Sequence, residues 1–198
     1  MTLVFATNNA HKLKEVKQIL PSVYAVLSLA DIGCHEEIEE TGETLEANSL
    51  LKAQFVSHWL QQHPYSTSID GVFADDTGLE VVCLNNAPGV HTARFAGEPV
   101  SDQRNRAKLL QVMSAVPVNQ RTARFRTVVT LIRHGQTIQV EGIVNGSIAC
   151  EERGTEGFGY DSLFIPEGYN KCFAELSPEE KNSISHRGRA MQRLKETL

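Results

Sequence analysis

The residues best suited to chemistry lie in Phe73-Ala74-Asp75-Asp76-Thr77-Gly78-Leu79-Glu80-Val81. Two adjacent carboxylates follow one apolar run, and a second apolar run begins after Gly78. Ionised carboxylates side by side repel each other, and a cation that prefers hard oxygen ligands, most economically Mg²⁺, relieves that repulsion. Asp-Asp-Thr-Gly is also ordinary turn chemistry. The pattern therefore predicts an acidic turn between strands Val72–Ala74 and Leu79–Leu84.

Three other segments could handle a ligand. Leu3-Val4-Phe5-Ala6 reads as a buried strand, followed by Thr7-Asn8-Asn9-Ala10-His11-Lys12 and then Leu13, Val16, Ile19 and Leu20 at helical spacing. Strand, short loop and helix start is a geometry that turns backbone N–H groups and the helix dipole toward an anion. Lys12 adds a point charge at a helix end where cations are disfavoured unless an anion is near. The loop lacks the GxxxxGK[ST] spacing, and no GxGxxG occurs, so neither common nucleotide motif is present. A plain strand–helix connection is the alternative.

Gly154-Thr155-Glu156-Gly157-Phe158-Gly159-Tyr160-Asp161 places three glycines around two aromatics, which suits close backbone approach to a ligand and ring stacking on it. Ser177-Pro178-Glu179-Glu180-Lys181 is a helix start, with a capping Ser, Pro at the first helical position and Glu at the third. It leads into Ser185-His186-Arg187-Gly188-Arg189, which either donates to carbonyls or phosphates or forms a solvated turn.

In order along the chain, these segments, with Glu39-Glu40-Thr41-Gly42 and Ala87-Pro88-Gly89, closely resemble the inosine triphosphate pyrophosphatase family. The resemblance covers essentially the whole chain without a large insertion. It implies an α/β fold with a mixed central β-sheet flanked by helices, and two lobes with an active-site cleft between them. It implies Mg²⁺-dependent hydrolysis of ITP, dITP and XTP to monophosphate and pyrophosphate, cleansing the nucleotide pool, in a cytoplasmic homodimer. Glu40, Asp75 and Asp76 match the metal-holding acids, and Asp76 the proton acceptor for water. Which Asp ligates and which abstracts is left open by the residues. Thr7, Asn8, Asn9, Ala10, His11 and Lys12 match the phosphate cradle, with Thr77 nearby. Phe158 would stack on a purine, while Gly159, Tyr160 and Asp161 would shape its pocket. Lys181 would add positive charge. His186 and Arg187, by side chain or backbone, would donate to a 6-keto oxygen. Adenine presents an amino donor there, and an unmatched buried donor costs about 1–3 kcal/mol.

Composition sets limits on this reading. A chain of 198 residues with 41% hydrophobic content can bury one substantial core, so a single domain over 1–198 is expected. No stretch approaches the roughly 18 apolar residues of a membrane span, and the first strand is broken too early for a signal peptide. Cys34, Cys83, Cys150 and Cys172 form no CxxC pair and read as reduced cysteines. The net charge of −5, without a basic run, favours a small nucleotide over a nucleic acid as partner.

The positioning elements follow from periodicity. A second strand is expected over Val23–Leu29 and a long helix over about Thr44–Gln62. A Ser101-capped helix should run to about Val116, and a hairpin should join Thr122–Arg133 to Thr137–Cys150 through His134-Gly135-Gln136. Two competing functions are a Maf-type pyrophosphatase and a nucleotide sensor without turnover. The Phe-Gly-Tyr-Asp and Ser-His-Arg-Gly segments argue against the first, and the acids with Lys12 against the second.

Overall fold

Short apolar runs become strands and capped amphipathic runs become helices along the whole chain. The computed structural model describes residues 1–198. The strands are β1 (Thr2–Phe5), β2 (Ala25–Leu27), β3 (Gly71–Val81), β4 (Pro88–Gly89), β5 (Thr122–Arg133), β6 (Gln136–Ile148) and β7 (Phe164–Pro166). The helices are α1 (Ala10–Ile19), α2 (Leu45–Gln62), α3 (Asp102–Val112), α4 (Pro178–Ile184) and α5 (His186–Lys195). One mixed sheet has the order β2-β1-β3-β5-β6-β7, with β4 paired to β3. β1 runs parallel to β2 and β3, whereas β3–β4 and β6–β7 are antiparallel. The expected α/β fold with a mixed sheet is therefore present.

Helix starts are set by side chains that accept from orphan backbone N–H groups. Thr44 accepts from Ala47 N, Ser101 from Arg104 N, and Ser177 from Glu180 N in a complete capping box. The hairpin turns at His134 and Gly135, both at positive φ, which matches the twist of paired strands. The Ser101 helix ends at Val112, short of Val116.

The acidic segment departs from expectation. Asp75, Asp76, Thr77 and Gly78 lie inside β3, which continues unbroken from Gly71 to Val81. No turn forms there, because strand pairing and burial on both faces outweigh the local turn preference of Asp and Gly. The Ser185–Arg189 segment is also not a solvated turn. Ser185 and His186 are buried, and α5 begins at His186.

The chain divides into two compact units. The first comprises Met1–Asp76, Thr127–Gly142 and Arg187–Leu198. Its strands bury side chains on both faces. Leu3, Phe5 and Phe73 pack with Val16 of α1 and Met191 and Leu194 of α5. Val4, Ala6, Val72 and Ala74 pack with Ala53 and Val56 of α2. Odd-numbered positions of β1 and β3 thus face α1 and α5, and even-numbered ones face α2. The second unit comprises Thr77–Arg126 and Ile143–His186. Leu79, Leu109, Met113, Phe125, Tyr160, Phe164 and Phe173 form its core. No helix is long and apolar enough to cross a membrane.

Candidate active site

Because β3 is extended through both acids, Asp75 and Asp76 point to opposite faces of the sheet. They do not face each other, and each has its own partners. On the α1/α5 face, Lys12 Nζ donates to Asp75 Oδ1 at 2.8 Å and Arg187 Nε donates to Oδ2 at 3.0 Å. Arg187 Nη1 also donates to Glu15 Oε2 at 2.5 Å. Asp75 and Arg187 are each 1% exposed. Burial alone would push the Asp75 carboxyl up, but Lys12, Arg187 and Lys52 together hold it well below the usual carboxylate range. Asp75 is the anion that a lysine at this helix start requires.

On the α2 face, Asp76 meets two side chains one helical turn apart. Lys52 Nζ lies 3.3 Å from Asp76 Oδ1, and Asn48 Nδ2 donates to Oδ2 at 3.3 Å. Lys52 Nζ also donates to Glu40 Oε1. Glu40 and Asp76 therefore converge on one cationic position. Burial raises the Asp76 carboxyl above its usual range, with the Lys52 charge opposing it. Neighbouring carboxylates whose environments drive their proton affinities apart are suited to different tasks.

Of the three expected metal-holding acids, the fold brings together Glu40 and Asp76 and leaves Asp75 on the other face with Lys12 and Arg187. No group of three or more His, Cys, Asp or Glu side chains is arranged to hold a metal ion. Two converging carboxylates nevertheless fit Mg²⁺ chemistry, since this ion commonly takes one or two protein carboxylates and completes its shell with water and substrate phosphate.

The N-terminal loop is internally braced. Thr7 Oγ1 accepts from Asn9 N at 3.1 Å, and Asn9 Oδ1 accepts from His11 N and Lys12 N at 3.0 and 3.1 Å. The first-turn N–H groups expected to meet a phosphate are thus held by the Asn9 cap. Asn8, Asn9, Ala10 and His11 are exposed, and Thr7 and Lys12 are half-buried.

The aromatic loop belongs to the second unit. Asp161 Oδ2 accepts from Phe158 N at 2.8 Å and from Lys181 Nζ at 2.7 Å. The Lys181 ammonium lies 5.1 Å from the centre of the half-buried Phe158 ring, a cation–π distance. Gly159 N donates to Asp102 Oδ2 at 2.8 Å, and Arg106 Nη1 donates to Gly159 O at 3.0 Å. Tyr160 is buried and donates its hydroxyl to Thr92 O at 2.9 Å, so it anchors the loop in the core. Burial pushes the Tyr160 phenol above its ordinary range. His186 stacks on Phe125, with ring centres 4.5 Å apart. Thr77, the residue after Asp76 in β3, is half-buried and opens this unit.

The chain as a whole is similar to known proteins. The model of the Ham1 family matches residues 3–197. The chain belongs to the Ham1 family. It is 51% identical to a dITP/XTP pyrophosphatase of Porphyromonas gingivalis, over 99% of this chain and 96% of that one. It is 46% identical to a dITP/XTP pyrophosphatase of Flavobacterium johnsoniae, over 100% of this chain and 98% of that one. Among solved structures, the Staphylococcus aureus Ham1 protein superposes with a TM-score of 0.84 at 36% identity, covering 100% of this chain and 97% of that one.

In this Ham1-family chain the structure adds residues that the motifs did not reveal. Lys52 and Asn48 hold Asp76, Glu15 holds Arg187, and Asp102 and Arg106 hold the aromatic loop. Asn48 and Lys52 had a legible signal: two polar residues four apart inside the buried stripe of a helix, where apolar side chains are the rule. Arg187 is reassigned. Its guanidinium, expected as one possible donor to a base, is held by Asp75 and Glu15 within its own unit.

Gly157 shows how tightly the aromatic loop is built. Its φ is +78°, and a Cβ there would fall 2.2 Å from Asp161 Oδ2. Gly157→Ala should lower stability by about 1–3 kcal/mol through backbone strain and displacement of that carboxylate. Thermal unfolding checks this, and an unchanged Tm would contradict it.

Proposed function

We propose that this protein hydrolyses ITP, dITP and XTP at the α–β phosphoanhydride bond, releasing the nucleoside monophosphate and pyrophosphate. The observation that carries the reading is the convergence of Glu40 and Asp76 on one cationic position in a Ham1-family chain. Relatives that align along nearly the whole chain bear the name dITP/XTP pyrophosphatase, which supports the substrate class.

Glu40 and Asp76 would hold Mg²⁺. The ion would offset charge on the phosphates and polarise the α-phosphoryl group. Asp76 takes a proton from water as the water oxygen bonds to the α-phosphorus. The bond to the bridging oxygen breaks, and its electrons leave with pyrophosphate. Lys12 and Arg187 hold the likewise buried Asp75 carboxyl low, whereas burial raises that of Asp76, so Asp76 is the stronger base of the two, which supports that role. Lys12 keeps one ammonium hydrogen on Asp75 and offers the others to substrate phosphate oxygens, and the Thr7–His11 loop lines the same end of the substrate. In the second unit Phe158 offers a stacking face for the purine, and Lys181 and Asp161 hold that loop in shape. His186 and the backbone around Arg187 supply donors to a 6-keto oxygen, which adenine lacks. The enzyme acts in the cytoplasm as a homodimer and removes aberrant purines from the nucleotide pool, as its family resemblance supports.

Lys12→Ala should raise KM by about tenfold or more, since a charge-assisted contact to substrate is lost, with a smaller change in kcat. Steady-state kinetics on dITP measures this, and an unchanged kcat/KM would leave the loop merely structural. Pyrophosphate release from ITP, XTP, UTP and ATP tests the reading as a whole. Preference for ITP and XTP is expected. Preference for UTP would favour Maf-type chemistry, and absence of release from all four would favour a sensor.

A further inference from the structure

Asn48 is completely buried in the first turn of α2, although Asn is a weak helix former that favours caps and turns. Both ends of its amide are engaged. Oδ1 accepts from Gly42 N at 2.7 Å, and Nδ2 donates to Asp76 Oδ2 at 3.3 Å. Only one orientation of the amide presents an acceptor to the N–H and a donor to the carboxylate. The approach of the 40–42 backbone is close by construction. A Cβ on Gly42 would fall 2.6 Å from Asn48 Oδ1 and 2.8 Å from Ala47 Cβ. Lys52, one turn along α2, completes the arrangement by holding Glu40 and the other oxygen of Asp76.

We propose that Asn48 is a positioning residue for the hydrolysis. It fastens the Glu40 segment to α2 through Gly42 and orients the Asp76 carboxylate through Oδ2, without touching substrate. The inference rests on the reading of Asp76 as the proton acceptor. Two functions of one amide can be separated by two substitutions. Asn48→Asp keeps the acceptor for Gly42 N–H but replaces the donor to Asp76 with a like charge. Asn48→Ala removes both.

The test combines kinetics on dITP with digestion by a Glu-specific protease in the absence of substrate and metal. The segment before α2 carries Glu36, Glu37, Glu39 and Glu43 exposed, so cutting there reports how firmly it is fastened. Both variants should lose kcat by about 10- to 100-fold with KM changed by less than about threefold. Asn48→Ala should be cut faster than wild type, whereas Asn48→Asp should be cut at the wild-type rate. Ser49→Ala is the control for generic disturbance of the helix. It removes buried hydrogen bonds to Ala74 O and Thr130 Oγ1, neither of which belongs to Asp76. It should lower Tm while sparing kcat. Wild-type kcat in Asn48→Asp overturns the orienting role, and wild-type cutting of Asn48→Ala overturns the fastening role. An active Asp76→Asn enzyme would instead refute the underlying reading of Asp76, a result that neither Asn48 variant can mimic.

Discussion

Asp76→Asn should lower kcat by about 100- to 10,000-fold while the protein remains folded, the range expected when a general base is removed. The substitution keeps the shape of the side chain and takes away its charge and basicity. Asp76 is 6% exposed, and its oxygens meet Lys52 and Asn48. An amide there still fills the space, and Lys52 keeps Glu40 as its partner. The loss should therefore appear in turnover with little loss of cooperative unfolding. Steady-state kinetics with a thermal melt on the same sample checks both halves. Activity within about threefold of wild type would take Asp76 out of the catalytic role.

Arg187→Met should have the largest effect on stability, about 3–5 kcal/mol, because it leaves Asp75 in the interior without one of its two cations. For a chain of this size that is a fall in Tm of roughly 10 °C. The Asp75 carboxyl is held below its ordinary range, so its contribution is fully present above its unfolded value. That contribution disappears as pH falls through the folded value. The stability gap between wild type and Arg187→Met should accordingly be wide above about pH 4 and narrow on further acidification. Chemical denaturation across this range measures it. A gap that is small at neutral pH, or that widens in acid, would contradict the assignment of Arg187 as the anchor of Asp75.

The elements that position these residues were largely legible. Caps at Ser101 and Ser177 marked α3 and α4, periodicity over about Thr44–Gln62 marked α2, and the His134-Gly135 turn marked the β5–β6 hairpin. What escaped was the setting of the acids. Asp75-Asp76-Thr77-Gly78 has turn composition, yet strand pairing and two buried faces hold it extended. Extension reverses the electrostatic argument, since neighbours in a strand look away from each other. Their compensating cations come from Lys12, Lys52 and Arg187, which are remote in sequence, so no local pattern could pair them. Phe158 and Asp161 were legible as a Gly-flanked loop. The clamps on that loop, Asp102 and Arg106, come from a helix about fifty residues earlier and could only be found in the fold.

Hydrolysis of dITP in isotope-labelled water, with mass analysis of both products, tests the central assignment most directly. Attack of water on the α-phosphorus puts the labelled oxygen in dIMP and releases unlabelled pyrophosphate. Label in pyrophosphate, or orthophosphate as the first product, would contradict cleavage by water at the α-phosphorus.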